Sequence, residues 1–297
     1  MSKFVMIGSG VVGQATFFGL TAKGHKGTFC DINPEILDQL ASNGHSVCLP
    51  GSLDQVAGVE AFFLTVSTPT VDGRIQLGFL EAAVANLGEV LKNNTSYPIV
   101  VVRSTVPPGT TRELLIPLLE KHSGKKAGEG FGVCMNPEYL RENSNKEDFQ
   151  HPWLVTIGSL DVKSGQVLAD IYGPQEQKCP IFHLSLEEAE IQKYIHNLYN
   201  ASKISFFNEK RRVCEKMGID ADVVFPIVMV SAEAQWNPQY GIRDFGPFGG
   251  SCLPKDTSAF LAWAKDRLGL SLPLLKAVIK VNEVVKDSRN NGNGNGH

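Results

Sequence analysis

The segment Gly8-Ser9-Gly10-Val11-Val12-Gly13 constrains this chain more than any other part of it. It follows the apolar run Phe4–Ile7 directly and opens a segment of helical periodicity, so it reads as strand, tight turn and helix start. Glycines at this spacing let the backbone turn and approach a pyrophosphate at the helix N-terminus, where Val11 and Val12 fall in the first turn. Asp31 ends the next apolar run, 18 residues after Gly13. That is close to the roughly 20 residues expected for a carboxylate that binds the adenosine ribose hydroxyls. The carboxylate would repel a 2′-phosphate, which predicts NAD rather than NADP. FAD shares the fingerprint, but no further flavin motif accompanies it here. The bland alternative is a glycine turn and a surface acid, against which the strand–turn–helix context weighs. Placed at a strand end, Asp31 is expected to leave no buried partner unpaired if removed.

The same alternation continues for half the chain. Short apolar runs at Phe4–Ile7, Gly27–Cys30, Ala61–Val66, Ile99–Val102, Gly132–Met135 and Leu154–Ile157 are separated by helix-period segments such as Phe79–Leu91 and Thr111–Leu119. This predicts an α/β, Rossmann-type, doubly wound parallel sheet over residues 1–183. From Leu186 to about Lys216 the chain holds no Pro or Gly and keeps helical periodicity, so one long linking helix is expected. An all-helical domain over 184–285 follows, interrupted by the Gly/Pro-rich stretch Asn237–Pro254 and ending on a helix at about Leu272–Val285. The closing NNGNGNGH is low-complexity, and 286–297 reads as a disordered tail.

Composition narrows the partners. A net charge of −3, with mixed signs along the chain, offers no basic stripe for nucleic acid. No signal-like or spanning apolar segment is found, so a cytoplasmic location away from membranes is expected. The histidines and six cysteines show no HExxH, CxxC or His/Cys cluster, and no metal site is expected.

The sharpest chemical segment is Gly249-Gly250-Ser251-Cys252-Leu253-Pro254-Lys255-Asp256. Glycines can expose the thiol, and a nearby ammonium favours the thiolate, the form that attacks a carbonyl. A cysteine taken alone is more often a buried hydrophobe, and the other five need no function. Four further stretches accompany it in order: Ser67-Thr68-Pro69-Thr70; Ser104-Thr105-Val106-Pro107 with Gly109-Thr110; Asn136-Pro137-Glu138-Tyr139-Leu140-Arg141-Glu142; and Ala189-Glu190 with Lys193, Asn197 and Asn208-Glu209. Together with the glycine fingerprint, this ordered set resembles the UDP-glucose/GDP-mannose dehydrogenase family.

The resemblance implies an alcohol oxidised to an aldehyde, addition of the Cys252 thiolate, a second hydride transfer to NAD, and hydrolysis of the thioester. It implies that Lys193 and Asn197, one helical turn apart, stabilise the developing oxyanions, and that Asp256 acts with the lysine through a water as a base. It further implies that Glu138 activates the hydrolytic water, with Thr105 near that water and the nicotinamide. Beside the fingerprint residues Gly8, Gly10, Val11, Val12, Gly13 and Asp31, it brings Thr68, Ser104, Thr105, Glu142 and Lys255 to the cofactor. It brings Tyr139, Leu140, Arg141, Lys193, Asn197, Tyr240, Gly241, Arg243 and Gly249 to the substrate. Each polar residue among these has a plainer reading as helix or loop polarity.

The family normally continues past the helix ending near Val285 into a third domain, so a short form is expected. Pro247 stands where the family usually has glycine, Ile36 replaces a basic residue, and Asn143 replaces a glycine. The resemblance implies oxidation of a nucleotide sugar, first UDP-glucose to UDP-glucuronate, with GDP-mannose, a UDP-N-acetylhexosamine or a smaller hydroxylated substrate as alternatives. A silent nucleotide-binding subunit is the reading from another class, and the intact Cys252, Lys193, Asn197, Asp256 and Glu138 count against it. A homodimer through the long helix is also implied.

Overall fold

A computed structural model describes residues 1–140, 152–173, 179–216, 218–231, 246–269 and 271–292. The chain divides into two compact units: residues 1–69 with 75–193, and residues 70–74 with 194–297. These units meet inside the long helix, between Lys193 and Tyr194.

The first unit is built on an eight-stranded sheet. Its strands are β1 (Lys3–Ile7), β2 (Lys26–Cys30), β3 (Val47–Cys48), β4 (Ala61–Leu64), β7 (Ile99–Val102), β8 (Gly132–Met135), β9 (Val155–Ser159) and β10 (Ile181–Leu184), in the order β10-β9-β8-β7-β4-β1-β2-β3. The hairpin strands β5 (Thr70–Val71) and β6 (Arg74–Ile75) lie outside this sheet. Alternate residues feed two cores. Val5 and Ile7, Phe62 and Leu64, Val100 and Val102, and Val133 and Met135 point into one; Phe4 and Met6, Ala61 and Phe63, and Ile99 and Val101 point into the other. A strand buried on both faces must be apolar at every position, which is why these runs do not alternate in the sequence.

Helices cover both faces. Leu80, Val84, Leu87 and Leu91 of α3 (Gly78–Lys92) recur at helical spacing and pack into the first core, with Leu119 of α4 (Ile116–Ser123). Phe17 and Leu20 of α1 (Val11–Ala22), Leu37 and Leu40 of α2 (Pro34–Ser42), and Leu168 and Ile171 of α5 (Val162–Tyr172) pack into the second. Asn33 caps α2 by accepting from Glu35 N at 2.9 Å, and Pro34 opens the helix where a missing N–H costs nothing.

Three expectations change. β9 pairs antiparallel with β8, so the sheet is mostly, not wholly, parallel. Met135 at the end of β8 faces Gly158 near the end of β9; a strand that returns from the end its neighbour reached must run the other way. The segment expected as one helix over Thr111–Leu119 starts with a wide π turn, Thr111–Leu115, before α4 begins. Pro117 has no N–H to give the carbonyl four residues back, and a wider turn accommodates that. The last helix, expected to end near Val285, runs from Pro273 to Gly292, since Lys286-Asp287-Ser288 tolerates helix, so the expected tail is helical over 286–292. Residues 293–297 lie outside the described residues.

Among the described residues, the regular structure of the second unit is helical apart from its hairpin segment. It contains the continuation of α6 (Leu186–Lys216), α7 (Ala221–Ser231), α8 (Leu253–Leu268) and α9 (Pro273–Gly292). Ala201, Ile204, Phe248, Leu253 and Val278 form one small core, and Phe207, Ala221, Phe225 and Met229 another. Among the described residues, no helix is long and apolar enough to cross a membrane.

Candidate active site

The glycine loop is fixed by close backbone approach. Gly8 has φ of 101°, and a Cβ there would stand 2.7 Å from the Thr65 carbonyl oxygen. At Gly13 a Cβ would lie 2.1 Å from Gly8 O, so α1 packs against the turn only because that atom is missing. At Gly10, by contrast, a Cβ would meet no protein atom within 4 Å. The loop is therefore tight toward the sheet and open at its middle glycine, above the N-terminus of α1 that begins at Val11. This is the geometry a pyrophosphate needs.

Asp31 stands at the carboxyl end of β2, where the fingerprint requires it. Its Oδ2 accepts from Ser9 N at 2.6 Å and its Oδ1 from Asn33 N at 2.9 Å. Gly8 N donates to Cys30 O at 2.8 Å, so two successive rungs tie the loop to the end of β2. This corrects the expectation that Asp31 has no buried partner, because Ser9 is 1% exposed and its amide depends on the carboxylate. An acid at a strand end serves here as a loop brace as well as a candidate ribose ligand.

β1 and β4 are neighbours while β1 leads onward to β2, so the strand order reverses beside the glycine loop. Doubly wound sheets bind ligands at such a switch point, outside the carboxyl ends of the strands. Thr68, Ser104 and Thr105 follow β4 and β7 at that same edge. Thr68 Oγ1 donates to Thr105 O at 3.0 Å, and Ser104 Oγ donates to Val66 O at 2.6 Å. These bonds tie the turns after β4 and β7 to each other, beside Thr65, whose hydroxyl donates to Gly8 O at 2.6 Å.

Glu138 and Lys193 form the charged centre of the first unit. Lys193 Nζ stands 3.2 Å from Glu138 Oε1 and also donates to Glu138 O. Leu140 N donates to Glu138 Oε2 at 2.6 Å. Burial pushes the Glu138 carboxyl up, but the Lys193 charge, the Leu140 N–H and the Arg103 charge outweigh it and hold it below the usual carboxylate range. Tyr139 hydrogen-bonds Thr156 Oγ1 at 2.8 Å and Gln192, and the Lys193 ammonium lies 5.3 Å from its ring centre. Leu140 thus holds Glu138 directly, while Tyr139 lies against its Lys193 partner. Arg141, Glu142 and Asn143 lie outside the described residues, as do Tyr240, Gly241 and Arg243.

The second unit presents Cys252 at the N-cap position of α8, where its side chain makes no capping bond, with Pro254 in the first turn. It is partly buried, its Sγ is 3.8 Å from Ser251 Oγ, and Gly249 before it is exposed. A helix N-terminus favours a thiolate over a thiol. One turn on, Asp256 is 0% exposed; its Oδ2 accepts from Asn197 Nδ2 and its Oδ1 lies 3.1 Å from Lys255 Nζ. Lys193 and Asn197 sit one turn apart on α6, and each holds a carboxylate. Among the described residues, no group of three or more His, Cys, Asp or Glu side chains is arranged to hold a metal ion.

Two supporting residues were not singled out from the sequence. Arg103 is 4% exposed and donates to Asn136 Oδ1 and to Tyr172 OH at 2.8 Å, which steadies the turn that carries Glu138. Its position directly before Ser104-Thr105 was the available signal. Glu190, quoted only as part of a motif, is 0% exposed and accepts from Gly109 N at 2.6 Å and Thr111 N at 2.8 Å. It clasps the head of the turn after Thr105 to the helix that carries Lys193.

Comparison with known proteins bears on this arrangement. A family model described as the NAD binding domain of UDP-glucose/GDP-mannose dehydrogenases matches residues 51–176, and the model of that family's central domain matches 187–284. The first match starts downstream of the glycine loop, so the loop geometry is separate support for NAD. The GDP-mannose 6-dehydrogenase of Azotobacter vinelandii is 34% identical, over 93% of this chain and 67% of its own length. The UDP-glucose 6-dehydrogenase of Haloferax volcanii is 32% identical, over 94% of this chain and 69% of its own. The structure of a UDP-glucose dehydrogenase from Pyrobaculum islandicum superposes with a TM-score of 0.83 at 34% identity, covering 96% of this chain and 68% of that one. The chain thus spans about two thirds of these relatives. Two domain matches in order, over a sheet whose glycine loop and Asp31 suit NAD, place it in the UDP-glucose/GDP-mannose dehydrogenase family, as a chain that carries that family's NAD-binding and central domains.

Proposed function

We propose that the chain oxidises the primary alcohol of a nucleotide sugar to the carboxylate in two steps, through a thioester on Cys252, with UDP-glucose as the substrate and UDP-glucuronate as the product. The observation that carries this reading is the placement of Cys252 at the head of α8, one turn before the buried Asp256. NAD, held by the glycine loop and Asp31, would supply the hydride acceptor, one molecule for each of the two oxidations. Asp256, held by Asn197 and Lys255, takes the alcohol proton through a water in concert with Lys193. The Cys252 thiolate adds to the aldehyde carbon, and the resulting oxyanion is stabilised by donors from Lys193 and Asn197. Glu138, kept ionised by Lys193 and Arg103, removes a proton from the water that cleaves the thioester. The cysteine is then regenerated.

GDP-mannose is the second reading, since relatives of near-equal identity carry either name. A panel of UDP-glucose, GDP-mannose, UDP-N-acetylhexosamines and the free sugars, with NADH and carboxylate measured together, tests both. Two NADH per carboxylate from UDP-glucose is the expected result. The same ratio from GDP-mannose alone would move the substrate to the second reading, and one NADH with aldehyde as the end product would remove the thioester.

A homodimer through α6 belongs to the same proposal. Ile195 and Tyr199, one turn apart on that helix, are 56% and 58% exposed, an apolar stripe of the kind a twofold mate covers.

A further inference from the structure

Cys30 and Cys48 are 18 residues apart in the sequence, and nothing in their spacing links them. The fold makes them neighbours: Cys30 ends β2, Cys48 ends β3, and the parallel ladder pairs them in register. Neither is in a disulfide. Both point to the same face of the sheet, where Cys30 is part of the core containing Val5, Ile7 and Leu53 and Cys48 packs against it. Adjacent strands lie about 4.8 Å apart, within the roughly 4.4–6.8 Å between Cα atoms that a disulfide spans. β3 is a two-residue strand at the sheet edge, held to β2 over two residue pairs, so few ladder bonds oppose the small adjustment that closure requires.

What lies beside the pair gives it consequence. The Cys30 carbonyl accepts from Gly8 N, and the next residue, Asp31, accepts from Ser9 N. Any shift in the end of β2 therefore reaches the glycine loop directly. We propose that Cys30 and Cys48 form a reversible dithiol–disulfide site at the margin of the coenzyme loop, and that its oxidation weakens NAD binding.

The two thiols differ in character. Contact with Cys48, then burial, push the Cys30 thiol up, while contact with Cys30 pulls Cys48 down against its own burial. Cys30 keeps the proton and Cys48 gains thiolate character; Cys48 is also the more exposed of the two. With a hydroperoxide as oxidant, the Cys48 sulfur attacks the peroxide oxygen and the O–O bond breaks. Cys48 sulfenic acid forms, and the alcohol or water leaves. The Cys30 sulfur then attacks the sulfenic sulfur, the S–S bond forms, and the S–O bond breaks, the hydroxide leaving as water with the Cys30 proton. Two electrons pass from the pair to the peroxide, and a dithiol reductant reverses the step.

The test uses the whole chain and reads NAD binding, which does not depend on turnover at Cys252. After brief treatment with hydrogen peroxide, remaining thiols are alkylated, peptides are mapped, and the Kd for NAD is measured by calorimetry. A cross-linked peptide joining Cys30 to Cys48 is expected, with Kd raised roughly tenfold, the scale of one charge-assisted hydrogen bond. Dithiothreitol should restore it, and peroxide-treated Cys48→Ala and Cys48→Ser should bind NAD as their untreated forms do. Absence of the cross-link, a cross-link with unchanged Kd, or an equal loss of affinity in both variants would each overturn the proposal.

Discussion

Lys193 Nζ lies 3.2 Å from Glu138 Oε1, with only 3% and 6% of the two side chains exposed, so neither charge has water to fall back on. Deleting one member of a buried pair typically costs about 3–5 kcal/mol, because the other is left uncompensated. Glu138→Ala should therefore unfold at markedly lower urea. Glu138→Gln keeps an acceptor and is the informative variant. It should bind NAD normally and carry out the first oxidation, yet accumulate a covalent adduct on Cys252, with turnover reduced on the order of 10²–10⁴-fold. Intact mass after mixing with substrate and NAD checks this; wild-type turnover would release Glu138 from the hydrolytic role.

Glu190 offers a pH test in the same unit. Burial pushes its carboxyl up to about 7 from an ordinary 4.5, despite the bonds from Thr111 and Gly109, and the neighbouring Glu187 charge adds to the rise. Below 4.5 the folded and unfolded chains both hold the proton, and its contribution to stability is fully present. As pH rises toward 7 the unfolded chain ionises first, so that stability is lost, by at most on the order of 3 kcal/mol. Glu190→Gln cannot ionise. Urea midpoints for wild type and variant should diverge through this window, with wild type falling relative to the variant, and parallel curves would contradict the assignment.

Asp31→Ala removes the acceptor for both Ser9 N and Asn33 N. NAD affinity should fall roughly tenfold or more, and Tm should fall too, because a buried amide loses its partner. Asp31→Asn retains one acceptor and should recover much of the Tm but less of the affinity. Equal affinity in all three proteins would mean that the fingerprint has been misread.

Much of the sheet was legible because its central strands β4, β7 and β8 are apolar at every position, and runs such as Ile99–Val102 can hardly be anything else in a βαβ context. Val47–Cys48 is too short to carry a period, and Ile181–Leu184 alternates too weakly to stand out. The direction of β9 depends on where its chain enters, which no local pattern encodes. At the site, the motifs located Glu138, Lys193, Asn197 and Asp256, but not which carboxylate each donor holds. Lys193 on Glu138 and Asn197 on Asp256 are choices made by packing across 55 and 59 residues of sequence. The second role of Asp31 was hidden because its partner is a backbone amide, which has no signature of its own.

The exposed Ile195 and Tyr199 predict association. Light scattering at micromolar concentration should give twice the mass of one chain, and Ile195→Glu with Tyr199→Glu should give the single mass with the fold intact by circular dichroism. A monomeric wild type would remove α6 as the dimer face.

Cys252→Ser separates binding from chemistry. The residue stands at the N-cap position of α8 without a side-chain capping bond, and serine is favoured there, so α8 should form as before and the buried Asn197–Asp256 bond one turn on should remain. NAD affinity should be unchanged, since the glycine loop, Asp31 and the Thr68–Thr105 contact all lie in the other unit. What changes is nucleophilicity: at neutral pH a hydroxyl is a far poorer attacker than a thiol that stands at a helix N-terminus. The variant should therefore make no thioester, and carboxylate formation should fall by at least about 10³-fold, while any NADH it yields comes from the first oxidation alone. NADH and carboxylate measured together, with a mass spectrum to look for the adduct that the wild type forms, decide the matter. Carboxylate at the wild-type rate would show that water attacks the aldehyde without help from Cys252, and the covalent mechanism would have to be abandoned.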